Sequence, residues 1–425
     1  MSSVAIRTVP FTTRLRGLHA KEIVARDKAR AQKFLAGLHP HGPAAFHEAR
    51  RRRRGHGHGS GGSTGGSGTG SGTGGGSGTA PSSGGNDSSI DVTDAGVTYT
   101  ASVGVGSPAT QYTLLIDTGS SNTWVGAGEK YVKTSTSHST GKSVNVSYGS
   151  GSFSGTEYTD TVTLAEGLVI QNQSIGVAST AQGFSDVDGI LGIGPVDLTS
   201  TTVSGESSVP TVTDNLYAQG TIATESIGIS YEPTTEANAA NGELTFGGVD
   251  SSKYTGEITY VPITSTSPAS QYWGIDQDVT YGQSGTSLLS GASGIVDTGT
   301  TLLLIATDAF QAYQKATGAT LDQSTGLLTL SESQFNNLQS LYFNLGGTTF
   351  ELTPNAQIWP RNLNSTIGGE EGKIYLIVSD LGSMSGSGLD FIDGFGFLQR
   401  FYSVYDTTNS QVGIANTPWT DATTN

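Results

Sequence analysis

The 425-residue chain contains no cysteine. It therefore has no disulfide, no thiol nucleophile and no thiolate metal ligand. Histidine is also scarce: six of the seven histidines precede residue 59, and His138 is the only one that follows. In the main part of the chain we expect neither a Ser-His-Asp triad nor a multi-histidine metal site.

Charged residues make up only 13% of the chain, and long apolar runs are absent. No segment approaches the ~20 apolar residues that span a bilayer, so we expect no membrane partner. The apolar runs are short and are broken by the turn formers Gly, Ser and Thr. This pattern predicts an all-β fold with few helices.

The charges are divided unevenly along the chain. Residues 1–54 carry 13 Lys and Arg against 3 Asp and Glu, a net charge of +10, whereas the remainder carries 8 against 33, a net charge of −25. The basic head should attract the acidic body near neutral pH. An acidic body argues against a nucleic-acid partner and suits a protein that works at low pH.

The head and the residues directly after it show three features. Residues 21–38 show a weakly amphipathic helical pattern of Ile23, Phe34, Leu35 and Leu38 among basic residues. Five arginines follow at 50–54 and predict a processing site; a solvated basic tail or a nuclear-localisation run is the alternative. Residues 55–85 contain 16 glycines and predict a flexible linker. We therefore divide this region into a basic pro-segment, 1–54, and a linker, 55–85.

The body begins with strand-like patterns at 97–106 and 111–116. Helices are predicted only at 213–219, 308–317 and 331–340, the last beginning with a capping box formed by Ser331 and Gln334.

The strongest signal is a repeat. Leu115-Ile116-Asp117-Thr118-Gly119-Ser120 recurs 180 residues later as Ile295-Val296-Asp297-Thr298-Gly299-Thr300. In each copy an apolar strand runs into an Asp, a hydroxyl residue and a Gly that permits a tight turn. Each Asp could simply cap a turn, but two copies in matching contexts favour two similar lobes, 86–265 and 266–425, that each supply one catalytic carboxylate.

The chemistry explains why two carboxylates are needed. Amide hydrolysis without a nucleophilic side chain requires a base to deprotonate water and an acid to protonate the substrate. If Asp117 and Asp297 face each other at ~3 Å, charging both costs roughly 5 kcal/mol, so the pair shares one proton. We expect Ser120 and Thr300 to bond the outer carboxylate oxygens.

We also expect Thr118 and Thr298 to tie the two loops together from behind. Further along the chain, three more motifs accompany these loops: Tyr148-Gly149-Ser150-Gly151-Ser152-Phe153-Ser154-Gly155, Asp188-Gly189-Ile190-Leu191-Gly192-Ile193-Gly194, and Phe397-Leu398-Gln399-Arg400-Phe401-Tyr402-Ser403-Val404-Tyr405-Asp406.

With these motifs, residues 88–425 resemble the pepsin-type aspartic peptidases, and the lack of cysteine resembles fungal members. The resemblance implies a bilobal β-fold, no cofactor and no metal. It also implies cleavage of unfolded or extended polypeptides between bulky apolar residues, and inhibition by pepstatin-type compounds. One departure is Asp393, which stands where the family carries an apolar residue.

The resemblance also implies roles for individual residues. Tyr148, Gly149 and Ser150 would lie on a flap that closes over the substrate, with Trp124 as the hydrogen-bond partner of Tyr148. Apolar pocket walls are predicted at Leu115, Phe184, Ile190 and Ile295.

The head is expected to inhibit its own enzyme. We predict that it lies across the acidic cleft and that one of its lysines, Lys33, reaches the two aspartates; acid would then weaken this attraction. We expect a monomer, because both catalytic loops lie in one chain. Secretion is the expected destination, with a vacuolar location as the alternative. Residues 1–20 lack the apolar core of a signal peptide, and we attribute this to a missing first exon.

Two other functions remain open. The chain could be an inactive relative that captures peptides or inhibitors in its cleft, or a Ser/Thr/Gly-rich carbohydrate-binding or wall protein. Four sequons, at Asn86, Asn145, Asn172 and Asn364, would accept glycans on the secretory route.

Overall fold

A computed structural model describes residues 6–15, 19–37, 97–149, 151–184 and 186–425. The predicted processing site at 50–54, the linker at 55–85 and the sequon at Asn86 lie outside these ranges. Within them, no helix is long and apolar enough to cross a bilayer.

Strand is the predominant regular structure of the described chain, which confirms the all-β prediction. The strands are β1 Arg7–Leu15, β2 Val97–Val105, β3 Thr110–Asp117, β4 Trp124–Val125, β5 His138–Ser147, β6 Ser152–Ala165, β7 Leu168–Gln182, β8 Gly189–Gly192, β9 Ser226–Tyr231, β10 Asn238–Phe246, β11 Thr255–Pro262, β12 Gly274–Tyr281, β13 Thr286–Val296, β14 Leu303–Ile305, β15 Thr320–Leu321, β16 Leu328–Leu330, β17 Leu341–Leu345, β18 Thr348–Leu352, β19 Ile374–Tyr375, β20 Val378–Asp380, β21 Phe391–Asp393, β22 Phe401–Asp406 and β23 Gln411–Asn416.

Helices in the described ranges are few and mostly short. The α-helices are α1 Ala20–Leu35, α2 Val212–Ala218, α3 Thr307–Thr317, α4 Glu332–Phe335 and α5 Phe395–Leu398, and short 3₁₀ helices span Val196–Thr199, Ala269–Gln271, Asn355–Gln357 and Arg361–Ile367. Helix α3 ends at Gly318, whose φ of +69° suits a glycine. The capping box predicted at Ser331 is present, but α4 ends at Phe335 and is shorter than predicted.

Two large sheets carry the two repeated loops. Among the described residues, 13 strands form one sheet in the order β11-β23-β22-β9-β10-β1-β2-β3-β8-β4-β7-β6-β5, and seven form another in the order β18-β17-β12-β13-β21-β14-β20. Each loop follows a strand that pairs in parallel with a second strand: β3 with β8, and β13 with β21. The C-terminal strands β22 and β23 join the first sheet near one of its edges, so this sheet draws on both ends of the chain.

The head contributes a strand that the sequence analysis did not predict. Strand β1 lies between β10 and β2 and pairs antiparallel with both. Val9, Phe11 and Thr13 alternate into the interior, as a half-buried strand requires. Phe11 packs edge-on against Tyr99 and Tyr231 at ring-centroid distances of 5.8 and 5.0 Å. The head is therefore anchored in the same core as the body.

Candidate active site

The first repeated loop holds Asp117 in a dense set of hydrogen bonds. Asp117 ends β3 and is fully buried. The backbone N–H of Gly119 donates to Asp117 Oδ1 at 3.0 Å, and Ser120 Oγ donates to Oδ2 at 2.5 Å. A carboxylate with this many fixed donors has one orientation.

The second loop repeats this arrangement at Asp297. The N–H of Gly299 donates to Asp297 Oδ1 at 3.1 Å, and Thr300 Oγ1 donates to Oδ2 at 2.6 Å. Ser120 and Thr300 thus make the hydrogen bonds expected of them. Any Cβ added to Gly119 or Gly299 would meet the carboxylate of the opposite loop at 2.7 Å, so the two loops face each other closely.

The threonines after each Asp tie the loops together. The N–H of Thr118 donates to Thr298 Oγ1 at 3.1 Å, and the N–H of Thr298 donates to Thr118 Oγ1 at 2.9 Å. All four groups are buried, so each bond satisfies a group that water cannot reach. This crossed pair is the link predicted from the sequence.

Between the two carboxylates lies a cation from α1. Arg30 Nη2 contacts Asp117 Oδ1 and also donates to Asp297 Oδ1 at 3.0 Å, while Arg30 Nε donates to Asp297 Oδ2 at 2.7 Å. Burial alone would lower the pKa of Arg30, but the charges of Asp117 and Asp297 outweigh it and raise this pKa. Burial would likewise raise the pKa of Asp297, but the charge and hydrogen bonds of Arg30 lower it.

The structure corrects the prediction that Lys33 is the cation between the carboxylates. Lys33 lies one turn further along α1, where its Nζ donates to the carbonyl of Ser147 and lies 5.2 Å from the ring centroid of Tyr148. Burial, followed by the nearby charge of Arg30, lowers the pKa of Lys33 well below its usual value. From its place on α1, Arg30 reaches both carboxylates through the separate N–H donors of its planar guanidinium group, whereas Lys33 is directed to the carbonyl of Ser147.

Other polar residues of α1 fix the helix to the second lobe. Asp27 Oδ2 accepts the backbone N–H groups of Thr301 and Leu302 at 3.0 and 2.8 Å. Arg26 contacts the hydroxyl of Thr301, and Lys28 Nζ lies 2.9 Å from Asp380 Oδ2. Burial raises the pKa of Asp27, although Arg26 and the two N–H groups oppose this effect. Residues Thr301 and Leu302 follow the second loop directly, so α1 is bonded to the candidate site at several points.

The predicted flap packs over the same helix. Trp124 Nε1 donates to the hydroxyl of Tyr148 at 2.9 Å, the hydrogen bond expected from the sequence. Tyr148 also packs edge-on against Phe184, with 5.3 Å between ring centroids. Burial raises the pKa of the Tyr148 hydroxyl, so it stays protonated. Gly149 lies so close to the backbone of Arg30 that no Cβ would fit, and Ser150 lies outside the described residues.

The predicted pocket walls divide into two groups. Phe184, Ile190 and partly buried Leu115 belong to one apolar cluster with Trp124 and Tyr148. Ile295 does not join them. It is fully buried in the main core, in register with Gly274 and Ile392.

Asp393 lies directly behind the second loop. It is fully buried and pairs in register with Val296, the residue before Asp297. Gln277 Nε2 donates to Asp393 Oδ2 at 3.1 Å. Burial raises the pKa of Asp393 to about 8, and the Gln277 hydrogen bond only partly opposes this. The departure seen in the sequence is therefore a buried carboxylic acid with an amide partner.

Sequence reasoning assigned no role at this site to four residues of α1: Arg26, Asp27, Arg30 and Phe34. Phe34 is fully buried and packs on Tyr272 with 4.6 Å between ring centroids. The spacing of Asp27, Arg30 and Phe34 is three and four residues, so they share one helix face. This spacing was the available signal. Among the described residues, no group of three acidic or histidine side chains could hold a metal ion.

Paired carboxylates on two facing, hydrogen-bonded loops define a class of protein. The family profile described as eukaryotic aspartyl protease matches residues 98–417, and the chain belongs to this family. It is an aspartic endopeptidase of the pepsin-like fold, with two lobes of curled sheet. The resemblance drawn from the sequence motifs is thereby confirmed.

Individual relatives place it more narrowly within the family. The chain is 66% identical to polyporopepsin from Irpex lacteus over 339 residues, which cover 79% of this chain and 99% of that protein. It is 32% identical to human gastricsin, with 75% of this chain and 81% of that one covered. The crystal structure of an aspartic proteinase from Irpex lacteus superposes with a TM-score of 0.75 at 66% identity, covering 77% of this chain and 96% of that one.

Proposed function

We propose that Asp117 and Asp297 are the catalytic pair of this endopeptidase, and that the head holds the enzyme inactive until acid releases it. The observation that carries the proposal is the Arg30 guanidinium, which bonds both carboxylates at once. Because a buried arginine needs paired anions, its position marks where the chain concentrates negative charge.

The proposed reaction uses one shared proton. The ionised carboxylate takes a proton from a water molecule as the water oxygen attacks the scissile carbonyl carbon. The protonated carboxyl gives its proton to the carbonyl oxygen. A proton then moves to the amide nitrogen as the C–N bond breaks, which yields a free acid and a free amine. Ser120 and Thr300 support this cycle because their hydroxyls fix the outer oxygens.

Acid pH follows from the need for one proton on the pair. Two facing carboxylates repel each other, so one of them retains its proton to a higher pH than a lone carboxyl does. With both ionised, no acid would remain to protonate the carbonyl oxygen. We therefore expect activity to fall as the pH approaches neutrality.

The apolar cluster under the flap supports a preference for bulky apolar side chains. Trp124, Tyr148, Phe184 and Ile190 lie together beside the first loop. The aromatic ring of Phe34 already occupies buried space against Tyr272 in the cleft. We infer that an extended peptide places apolar side chains in these positions and pairs its backbone with the flap.

The zymogen proposal rests on the contacts of α1. This helix fills the space between the loops and the flap, with Arg30 at its centre and Gly149 packed on its backbone. No peptide could reach the carboxylates while it is there. Residues 1–54 would then act as the enzyme's own inhibitor, and the arginines at 50–54 would be the point of cleavage.

The direction of the pH effect follows from Asp297. Its pKa is lowered in the docked state, so the docking energy from Arg30 is present while Asp297 is ionised and is lost as the pH falls through the lowered pKa. Asp27 acts in the opposite direction because burial raises its pKa, and its ionisation weakens docking as the pH rises. We infer that Asp297, rather than Asp27, makes docking sensitive to acid.

The remaining features of the proposal come from the sequence. We propose lobes at 86–265 and 266–425, a monomeric enzyme without a cofactor or nucleic-acid partner, and an extracellular destination. A vacuolar location is the alternative. The polypeptide substrates would be unfolded or extended.

The decisive experiment is hydrolysis of acid-denatured haemoglobin between pH 3 and 5 by the acid-treated chain. We expect activity that pepstatin and Asp117→Asn both abolish. Asp197→Asn serves as the matched control because Asp197 is exposed, and this variant should remain fully active. If the head is demonstrably removed and no hydrolysis follows, the protein captures peptides without cutting them.

A further inference from the structure

Three of the four sequons lie in the described chain, and their asparagine side chains differ in exposure and in hydrogen bonding. We propose that Asn172 carries an N-linked oligosaccharide in the folded enzyme and that Asn364 carries none. This inference is independent of the catalytic proposal, because its readout is the glycan itself.

Asn172 lies at a bulge on strand β7. Asp160 pairs with Gln173 and Val162 pairs with Ile170, so Thr161 alone faces two residues, Gln171 and Asn172. Such a bulge interrupts the ladder and turns one residue outward. Asn172 has a φ of +53°, a left-handed conformation that Asn tolerates better than other residues with a side chain.

The side chain of Asn172 is available for modification. It is exposed, and within the described ranges it makes no hydrogen bond. Its two neighbours do: the backbone N–H of Gln171 donates to Gln219, just after α2, and Asn215 on α2 donates to the side chain of Gln173. A sugar attached to the Asn172 amide nitrogen would extend into solvent. No contact of the fold would have to break.

Asn364 has the opposite environment. It lies in the 3₁₀ helix Arg361–Ile367 and is only 2% exposed. Its Nδ2 donates both hydrogens, to the carbonyls of Glu370 at 2.9 Å and of Lys373 at 2.8 Å. A glycosidic bond would remove one of these hydrogens and would require room for a sugar inside a packed loop. The folded enzyme therefore contains Asn364 unmodified.

The chemistry of attachment requires only a donor from the secretory route. In the emerging chain, the amide nitrogen of Asn172 bonds to C1 of N-acetylglucosamine in a lipid-linked oligosaccharyl diphosphate. The bond from C1 to the phosphate oxygen breaks, the lipid diphosphate leaves, and the amide loses one proton. Ser174 completes the acceptor triplet at this stage; after folding its hydroxyl donates to Glu157.

The position of Asn172 keeps the glycan away from the substrate. The flap turn joins β5 to β6, and β7 reaches that end at Gln182, which pairs with Ser152. Ten residues of strand separate Gln182 from Asn172, a distance of about 30 Å. Asn145 differs, because it lies on the flap hairpin itself, two residues before the Ser147 carbonyl that accepts from Lys33.

The test is to secrete the full chain from a eukaryotic host behind a supplied leader peptide, remove N-glycans enzymatically in ¹⁸O water, and map the labelled aspartates by mass spectrometry. We expect the label at position 172 and none at position 364. Asn172→Asp tolerates the same backbone conformation and should lose one glycan mass. Its kcat/KM on an apolar peptide should stay within about twofold of the parent, since the site is ~30 Å from the flap.

Two results would overturn the inference. One is folded, secreted protein with Asn172 unlabelled, and the other is label at Asn364 in protein that retains native thermal unfolding. If Asn172→Asp fails to fold, Asn172→Gly provides the same readout because glycine also suits a positive φ.

Discussion

The two repeated loops are alike in front, where their carboxylates accept hydrogen bonds, and different behind, where neighbouring strands support them. In front, each Asp accepts one backbone N–H and one hydroxyl, at matching distances. Behind, Ile116 pairs in register with Leu191, whereas the corresponding Val296 pairs with Asp393. The geometry of the carboxylates is thus duplicated, but the packing that supports them is not.

This difference separates two demands on the fold. Holding a carboxylate requires a short list of donors, and the local Asp-Thr-Gly turn supplies them in both lobes. Filling the space behind it requires only matching volume and satisfied polar atoms, which either a leucine or a paired acid can provide. The first demand fixes the sequence, while the second leaves it free to vary.

The largest effect is expected from removing each carboxylate in turn. Asp117→Asn and Asp297→Asn should each lower kcat by at least about 10³-fold, because either change leaves the pair without its shared proton. Steady-state hydrolysis of an apolar peptide at pH 4 would measure the loss. Unequal losses of kcat would mean that Asp117 and Asp297 have different catalytic roles despite their equivalent hydrogen bonds.

The next test concerns Arg30, which makes two hydrogen bonds to Asp297 but only one contact with Asp117. Arg30→Gln removes the buried ion pair and should weaken the docking of α1 on the two loops by about 3 kcal/mol. The activity of the chain at pH 6, without acid treatment, should then rise by roughly a hundredfold. Lys21→Gln, on an exposed position of the same helix, is the control and should change nothing. Equal activity of the two variants at pH 6 without acid treatment would contradict the inhibitory role of Arg30.

A third test separates the backs of the two loops. Because the pKa of Asp393 is raised to about 8, the folded state binds a proton that the unfolded state releases near 3.8. Its stabilising contribution is therefore complete below about pH 4 and is lost as the pH rises to 8. Asp393→Asn cannot ionise, so it should unfold several degrees higher than the parent at pH 8 and close to the parent at pH 4.

Thermal scans across this pH range provide the measurement. Asp197→Asn again serves as the control, since an exposed carboxylate should leave the pH dependence unchanged. If the unfolding temperature of Asp393→Asn changes with pH in the same way as that of the parent, ionisation of Asp393 does not cause the loss of stability towards pH 8.

The smallest effect is expected at the crossed threonines. Thr118→Val and Thr298→Val each leave one buried N–H without an acceptor, which should cost about 1–3 kcal/mol in the free energy of unfolding. Thr298→Val should cost more than Thr118→Val, because Thr298 Oγ1 also donates to the carbonyl of Ile116 at 3.3 Å. Urea unfolding would show whether the link is symmetric.

The loops could be predicted because their information is local. Asp117, Gly119 and Ser120 lie within four residues, and the hydrogen bonds among them follow from that spacing. Their crossed partners 180 residues away could be predicted only because the motif occurs twice. Strand β1 offered no such repeat: its partners on β10 lie more than 200 residues away, so nothing near Val9 and Phe11 identifies them.

Other misses have equally specific causes. Helix α4 ends early because Asn337 turns its side chain back to the carbonyl of Ser333, which competes with the helical pattern. Lys33 and Arg30 have the same charge and lie on the same helix, and the sequence separates them only through the helix face that Arg30 shares with Asp27 and Phe34. Ile295 holds the position of Leu115 in the repeat, but it is fully buried in the main core, whereas Leu115 is partly buried against the cluster of Trp124 and Tyr148.

Strand β1 has a consequence for the proposed release of the head. It is hydrogen-bonded on both sides, to β10 and to β2, so cutting the chain elsewhere would not by itself detach it. If the strand is released, two facing strand edges lose their partner in the middle of the sheet. The departure creates a slot one strand wide, lined by the unpaired backbone groups of β10 and β2, and only another extended segment of similar length can restore a continuous sheet.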